Sequence, residues 1–103
     1  MTPSSLCLTG TVRHSDTDTL RNQSLACLEK GGLCLLDDGL TEIESGPLQV
    51  LLCAAAEARN RALPCELDAS ATQVFNSALG KLHLADAQSF FTIISDRQAP
   101  VSQ

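Results

Sequence analysis

Leu33-Cys34-Leu35-Leu36 is an unbroken apolar run held between Gly31-Gly32 and Asp37-Asp38-Gly39. Four residues are too few for a helix, and a run with no polar alternation suits a strand buried on both faces. Strands of that kind lie inside largely parallel sheets. Parallel neighbours cannot be joined by a tight turn, so each needs a crossover, usually a helix. This run therefore calls for helices on either side of it in the chain.

The flanking sequence supplies them. Leu6 to Val12 alternates apolar and small polar residues and reads as a first strand. Ser15 is placed to cap a helix, with Asp16 and Asp18 in its first turn. Leu20, Ser24, Cys27 and Leu28 form its narrow stripe, and Gly31-Gly32 ends it. Asp37-Asp38-Gly39 reads as a turn closing the second strand, and Leu40 to Glu44 as a connection. Ser45-Gly46-Pro47 opens a stronger helix, with Leu48, Leu51, Leu52, Ala55 and Ala56 in a continuous stripe that Val50, Cys53 and Ala54 widen. Leu63 to Leu67 reads as a third strand with Pro64 at its start. Ser70-Ala71-Thr72-Gln73 is a capping box before Val74, Phe75, Ala78 and Leu79, and Gly80 ends that helix. Leu82 to Gln88 has room for one helical turn, and Phe90 to Ile94 reads as the last strand.

Strand and helix alternate throughout. The expected fold is α/β: a mostly parallel or mixed sheet of four to five strands, with helices packed largely on one side. The chain has 103 residues, which suits one domain over residues 1–98 and a loose tail over 99–103.

Composition narrows the function. Seven basic against twelve acidic residues leave a net charge of −5, which disfavours nucleic acid and anionic membranes. There is no Trp and no Tyr, so platforms for stacking bases are scarce. No apolar run approaches a membrane span, and the N-terminus lacks the basic region of a signal peptide, which points to the cytoplasm. Five cysteines without a C-x-x-C pair read as small buried hydrophobes, not as disulfides or zinc ligands. His14 and His83 stand alone, and no glycine-rich phosphate loop occurs. Asp37-Asp38 reads as a solvated turn. Glu42 and Glu44 share a face of an extended segment without the pocket that acid/base work requires. No catalytic residue, metal or cofactor is expected.

The informative segment runs from Thr41 to Leu52. Ser45 stands beside Glu44 where a loop meets a helix N-terminus. In one reading Ser45 only caps the helix. In the other its hydroxyl is addressable: a phosphate there would add roughly −1.5 to −2 charges and block a docking partner without refolding the domain.

Ile43-Glu44-Ser45-Gly46-Pro47-Leu48-Gln49-Val50-Leu51-Leu52 resembles the signature of the STAS domain (sulfate transporter and anti-sigma-factor antagonist). There a strand leads through Asp-Ser-Ser/Thr-Gly-Leu into an Ala/Leu-rich helix. Leu8-Thr9-Gly10, Ala54 to Arg59 and Leu67 to Leu84 resemble the flanking parts, so the likeness covers roughly residues 5 to 95. Glu44 replaces the usual Asp, Gly46 the second hydroxyl residue and Pro47 the Gly.

The resemblance implies a stand-alone bacterial interaction domain. Its partner would be an anti-sigma or histidine-kinase-like protein, met through Glu44, Ser45, Gly46, Pro47 and Gln49, with Ser45 as the phospho-acceptor. The alternative is an unphosphorylated accessory subunit of an ABC-type lipid transporter or a chemotaxis-type signalling complex. A shortened opening hairpin also leaves a sheet edge open, so a homodimer is a further expectation.

Overall fold

The computed structural model describes residues 3–84 and 90–94. Its strands are β1 (Ser4–Val12), β2 (Leu33–Ile43), β3 (Cys65–Asp68) and β4 (Thr92–Ile94). The helices between them are α1 (Thr17–Glu29), α2 (Ser45–Asn60) and α3 (Thr72–Lys81). The sheet order is β1-β2-β3-β4, and every pair is parallel. The α/β expectation therefore holds, with four strands among the described residues and no antiparallel pair.

Sequential order with right-handed crossovers places the helices on one face of the sheet. That face carries Leu6 and Leu8 of β1, Leu33 and Leu35 of β2, and Cys65 and Leu67 of β3. They join Leu28, Leu48, Leu51, Ala55, Ala58, Phe75 and Leu79 in one core. Ala55 and Ala58 are small enough to bring α2 close to the strands, while Leu48 and Leu51 fill the space beside them. Fully burying each of those leucines is worth about 1.5–3 kcal/mol. Leu33, Cys34 and Leu35 are all buried, as a central parallel strand requires. On β1 the second face is open, and Ser5, Cys7 and Thr9 are exposed there.

Several local expectations are corrected. Asp37-Asp38-Gly39 does not end β2. It forms an irregularity within it, where Leu8 pairs with Asp37 but Gly10 with Leu40. The Asp37 carboxylate accepts hydrogen bonds from the Gly39 and Leu40 amides at 3.0 and 2.8 Å. Gly39 takes φ +90°. The turn chemistry is real, but it serves a bulge, and β2 runs on to Ile43. Ser15 does not cap α1. His14–Asp16 is a 3₁₀ turn, closed by the Asp16 carboxylate accepting from the Arg13 amide at 2.9 Å.

β3 begins at Cys65, after Pro64. Ser70 is not the cap of the third helix; Asp68 accepts from the Ser70 amide and opens a 3₁₀ turn at Ala69–Ala71. Gly80 lies inside α3, and His83 takes the left-handed conformation just beyond the helix at φ 57°. Phe90 and Phe91 precede β4. Residues 85–88 of the expected turn, and the 99–103 tail, fall outside the described residues.

The cysteines divide. Cys27, Cys34 and Cys65 are buried, whereas Cys7 and Cys53 are exposed, contrary to expectation. Cys7 points from the open face of β1, and Cys53 from the outer side of α2. Burial pushes the Cys65 thiol up to about 12, helped by Cys34 and Glu66 nearby. Folding thus keeps this thiol neutral where an unfolded chain would ionise it. The unfolded state binds fewer protons between pH 9 and 12, so stability falls as pH rises through that window. In native protein, Cys7 and Cys53 are expected to react quickly with a thiol reagent at pH 8, and Cys65 only on unfolding. Mass-spectrometric mapping of the labelled sites against time checks this.

Candidate functional site

The start of α2 is pinned by Glu44. Its amide donates to the Val12 carbonyl at 2.9 Å, and its carbonyl accepts from the Leu48 amide at 3.1 Å. Its backbone is extended at φ −79° and ψ 164°, so Glu44, not Ser45, is the N-cap residue. Ser45 is the first residue of the helix. This removes the reading in which Ser45 exists to cap α2. The Glu44 carboxylate reaches across to the loop after β1 and accepts from the His14 amide at 2.6 Å. An acid at this position thus ties together the two loops that end β1 and β2, a role no local sequence signal revealed.

Gly46 lies under His14. A Cβ at Gly46 would fall 2.6 Å from the His14 Nδ1 and 3.2 Å from the Thr17 Oγ1. The imidazole of His14 fills the space that a side chain at position 46 would need. Pro47 is fully buried and sits in the first turn, where its missing N–H costs no helical hydrogen bond. It shapes the loop, so it is withdrawn from the expected contact surface. Ser45 and Glu44 are half-buried, and Gln49 is exposed.

The expected residues therefore meet two surfaces. Ser45 lines a shallow hollow with His14, Glu42, Glu44 and Lys81. A phosphate on Ser45 would enter a rim holding one lysine and two carboxylates. On the other side, Gly46 and Gln49 open into a groove of about 540 Å³ between α1 and α2. Leu25, Val50 and Cys53 give that groove its apolar lining, while Arg21 and Arg61 flank it. Leu25 is 44% exposed although it is a large apolar side chain. Arg21 pairs with Asp18 at 2.8 Å and Arg61 with Glu57 at 2.7 Å, so the groove's charged flanks are already internally balanced.

Sequence reasoning missed this groove. The signal was present in Leu25, an apolar residue outside the stripe of its helix, and in Val50 and Cys53, which read as a widening of the buried stripe of theirs but lie half-buried and exposed.

Among the described residues no three His, Cys, Asp or Glu side chains gather as a metal would need. No helix among them is long and apolar enough to cross a membrane. No protein-family model matches the chain, and no curated protein matches it.

Proposed function

We propose that this domain is a STAS-type protein-interaction module. It docks on a regulatory partner through the start of α2 and the α1–α2 groove into which that segment opens. The observation that carries this reading is continuity: Gly46 and Gln49 of the signature segment also line the partly apolar groove between α1 and α2. A surface helix pair leaving Leu25, Val50 and Cys53 open to solvent has apolar area available for a partner. The reading assigns the domain no catalysis and a cytoplasmic setting. The resemblance favours an anti-sigma or histidine-kinase-like partner, with phosphorylation of Ser45 as the switch. A constitutive place in a lipid-transporter or chemotaxis-type complex is the second reading. It is favoured by Gly46, which carries no hydroxyl.

Co-purification from the source cell separates these. Cys53→Arg puts a long cation into the apolar groove from a position that is exposed in the free domain. It is expected to weaken partner capture about thirtyfold, roughly 2 kcal/mol, with an unchanged circular-dichroism melt. Capture undiminished by Cys53→Arg removes the groove from the interface. Ser45→Asp then decides between the readings. Loss of the partner supports the switch, and retention supports the constitutive subunit.

A further inference from the structure

We infer that two copies of this chain pair through the free edge of β1, antiparallel about a two-fold axis at Cys7, and so join their sheets into one. Among the described residues β1 has a neighbour on one side only. The Ser4 amide donates to the Gly32 carbonyl at 3.1 Å, so Ser4, and with it Leu6 and Leu8, turn their backbone groups toward β2. Groups alternate along a strand, so the amides and carbonyls of Ser5, Cys7 and Thr9 point out from the edge.

The strand runs without a backbone break from Ser4 through Thr9. Its pairing with β2 shifts between Leu8 and Gly10 and again between Gly10 and Thr11, and Gly10 turns to φ +53°. The usable edge is therefore the stretch centred on Cys7. A two-fold partner aligns Cys7 with Cys7, and Ser5 with Thr9, in both directions. Three facing pairs that each exchange two hydrogen bonds give about six across the seam.

The occupant is a second copy because this edge is complementary to itself. A chain of net charge −5 repels its own kind over most of its surface, yet no charged residue lies between Ser4 and Val12. Nor does this edge carry the Pro, Lys or inward charge by which natural edges prevent pairing. A shallow trough of about 230 Å³ runs along it between β1 and α1; Thr19 and Gln23 are neutral parts of its wall, and its one charged member, Asp16, has its carboxylate engaged by the Arg13 amide. In the two-fold arrangement the helices of both copies stay on the same face, and Ser5, Cys7 and Thr9 line the other. This surface lies apart from the α1–α2 groove, so dimerisation and partner docking are independent.

The register makes the test specific. Facing residues of a hydrogen-bonded pair have Cα atoms about 5.5 Å apart, within the span a disulfide bridges. In Cys53→Ser protein, Cys7 is the one exposed thiol among the described residues. Mild oxidation with added oxidised glutathione is expected to give a covalent dimer of twice the 10.9 kDa chain mass, linked Cys7 to Cys7. Sedimentation equilibrium of reduced wild type should show the same mass. Cys7→Lys sets two ammonium groups opposite each other and should weaken the dimer tenfold or more. Cys7→Ser should keep it and lose only the cross-link. Concentration-dependent protection of the Ser5, Cys7 and Thr9 amides from hydrogen exchange tests the wild type with no substitution at all. A monomer at every concentration, or a dimer that survives Cys7→Lys and leaves these amides unprotected, overturns the inference.

Discussion

Truncating Phe75 to alanine is expected to remove about 3–5 kcal/mol of stability. Phe75 is fully buried on α3 and meets Phe91 edge to face, with ring centroids 5.6 Å apart and planes at 84°. That contact links α3 to the segment that enters β4. The chain has three phenylalanines and no larger aromatic, and the rest of the core is Phe91 with Leu, Ala, Val, Ile and Cys, so a cavity left at Phe75 is not easily refilled. A domain of this size is usually stable by only ~5–15 kcal/mol, so the loss is a large share of the total. Phe75→Leu keeps most of the volume and should cost no more than about 1.5 kcal/mol. With no Trp or Tyr to report, urea titrations should be followed by far-ultraviolet circular dichroism. Equal midpoints for the two variants would contradict the packing described.

Gly32→Ala is the second large effect, about 3 kcal/mol or more, and it has two causes. Gly32 takes φ +145°, which side chains rarely adopt. A Cβ there would also fall 2.7 Å from the Pro64 Cγ and 2.8 Å from the Pro64 carbonyl oxygen. The backbone cannot retreat cheaply. The Gly32 amide donates to the Cys27 carbonyl at 3.2 Å and its own carbonyl accepts from the Ser4 amide at 3.1 Å. One residue therefore closes α1, begins the β1–β2 ladder and lies against the lead-in to β3. Gly39→Ala separates the causes, because Gly39 has a positive φ of +90° but nothing within 4 Å of where a Cβ would stand. It should cost only the backbone strain, on the order of 1–2 kcal/mol. Thermal melts of the two variants, measured side by side, should differ accordingly.

Much of this fold was legible because apolar periodicity and helix-ending glycines are local signals. Leu33 to Leu36, Gly31-Gly32 and the Leu48–Leu51–Ala55 stripe each declare themselves within a few residues. What escaped depends on distant partners. Asp37-Asp38-Gly39 carries turn chemistry, and only the neighbouring β1 makes it a bulge in a continuing strand. Ser70 and Ser15 look like caps, but each lies inside a 3₁₀ turn ahead of its helix, one opened by Asp68 and the other closed by Asp16. Cys53 stands on the outer side of its helix, and Cys7 shares a sheet face with the buried Cys34 but lies on the edge strand where Cys34 lies on an inner one; composition reveals neither.

The candidate site divides the same way. Ser45 at a helix start was readable, as was the segment leading into Leu48. The hydrogen bond from the His14 amide to Glu44, and the imidazole above Gly46, join positions 30 and 32 residues apart in the chain. No local pattern encodes them. The α1–α2 groove likewise arises only when Leu25 of one helix faces Val50 and Cys53 of the other.

Because each described strand pairs with the one that follows it in the chain, none of the four has to slot between two others already in place. The sheet can grow in one direction, by accretion. During synthesis, which releases the N-terminal part first, β1, α1 and β2 can assemble before α2 has left the ribosome. The later strands then add one at a time to an edge that is already formed. The β1 edge is consequently formed before the other three described strands have all been added, and it is presented to other copies of the chain while the later strands are still being made.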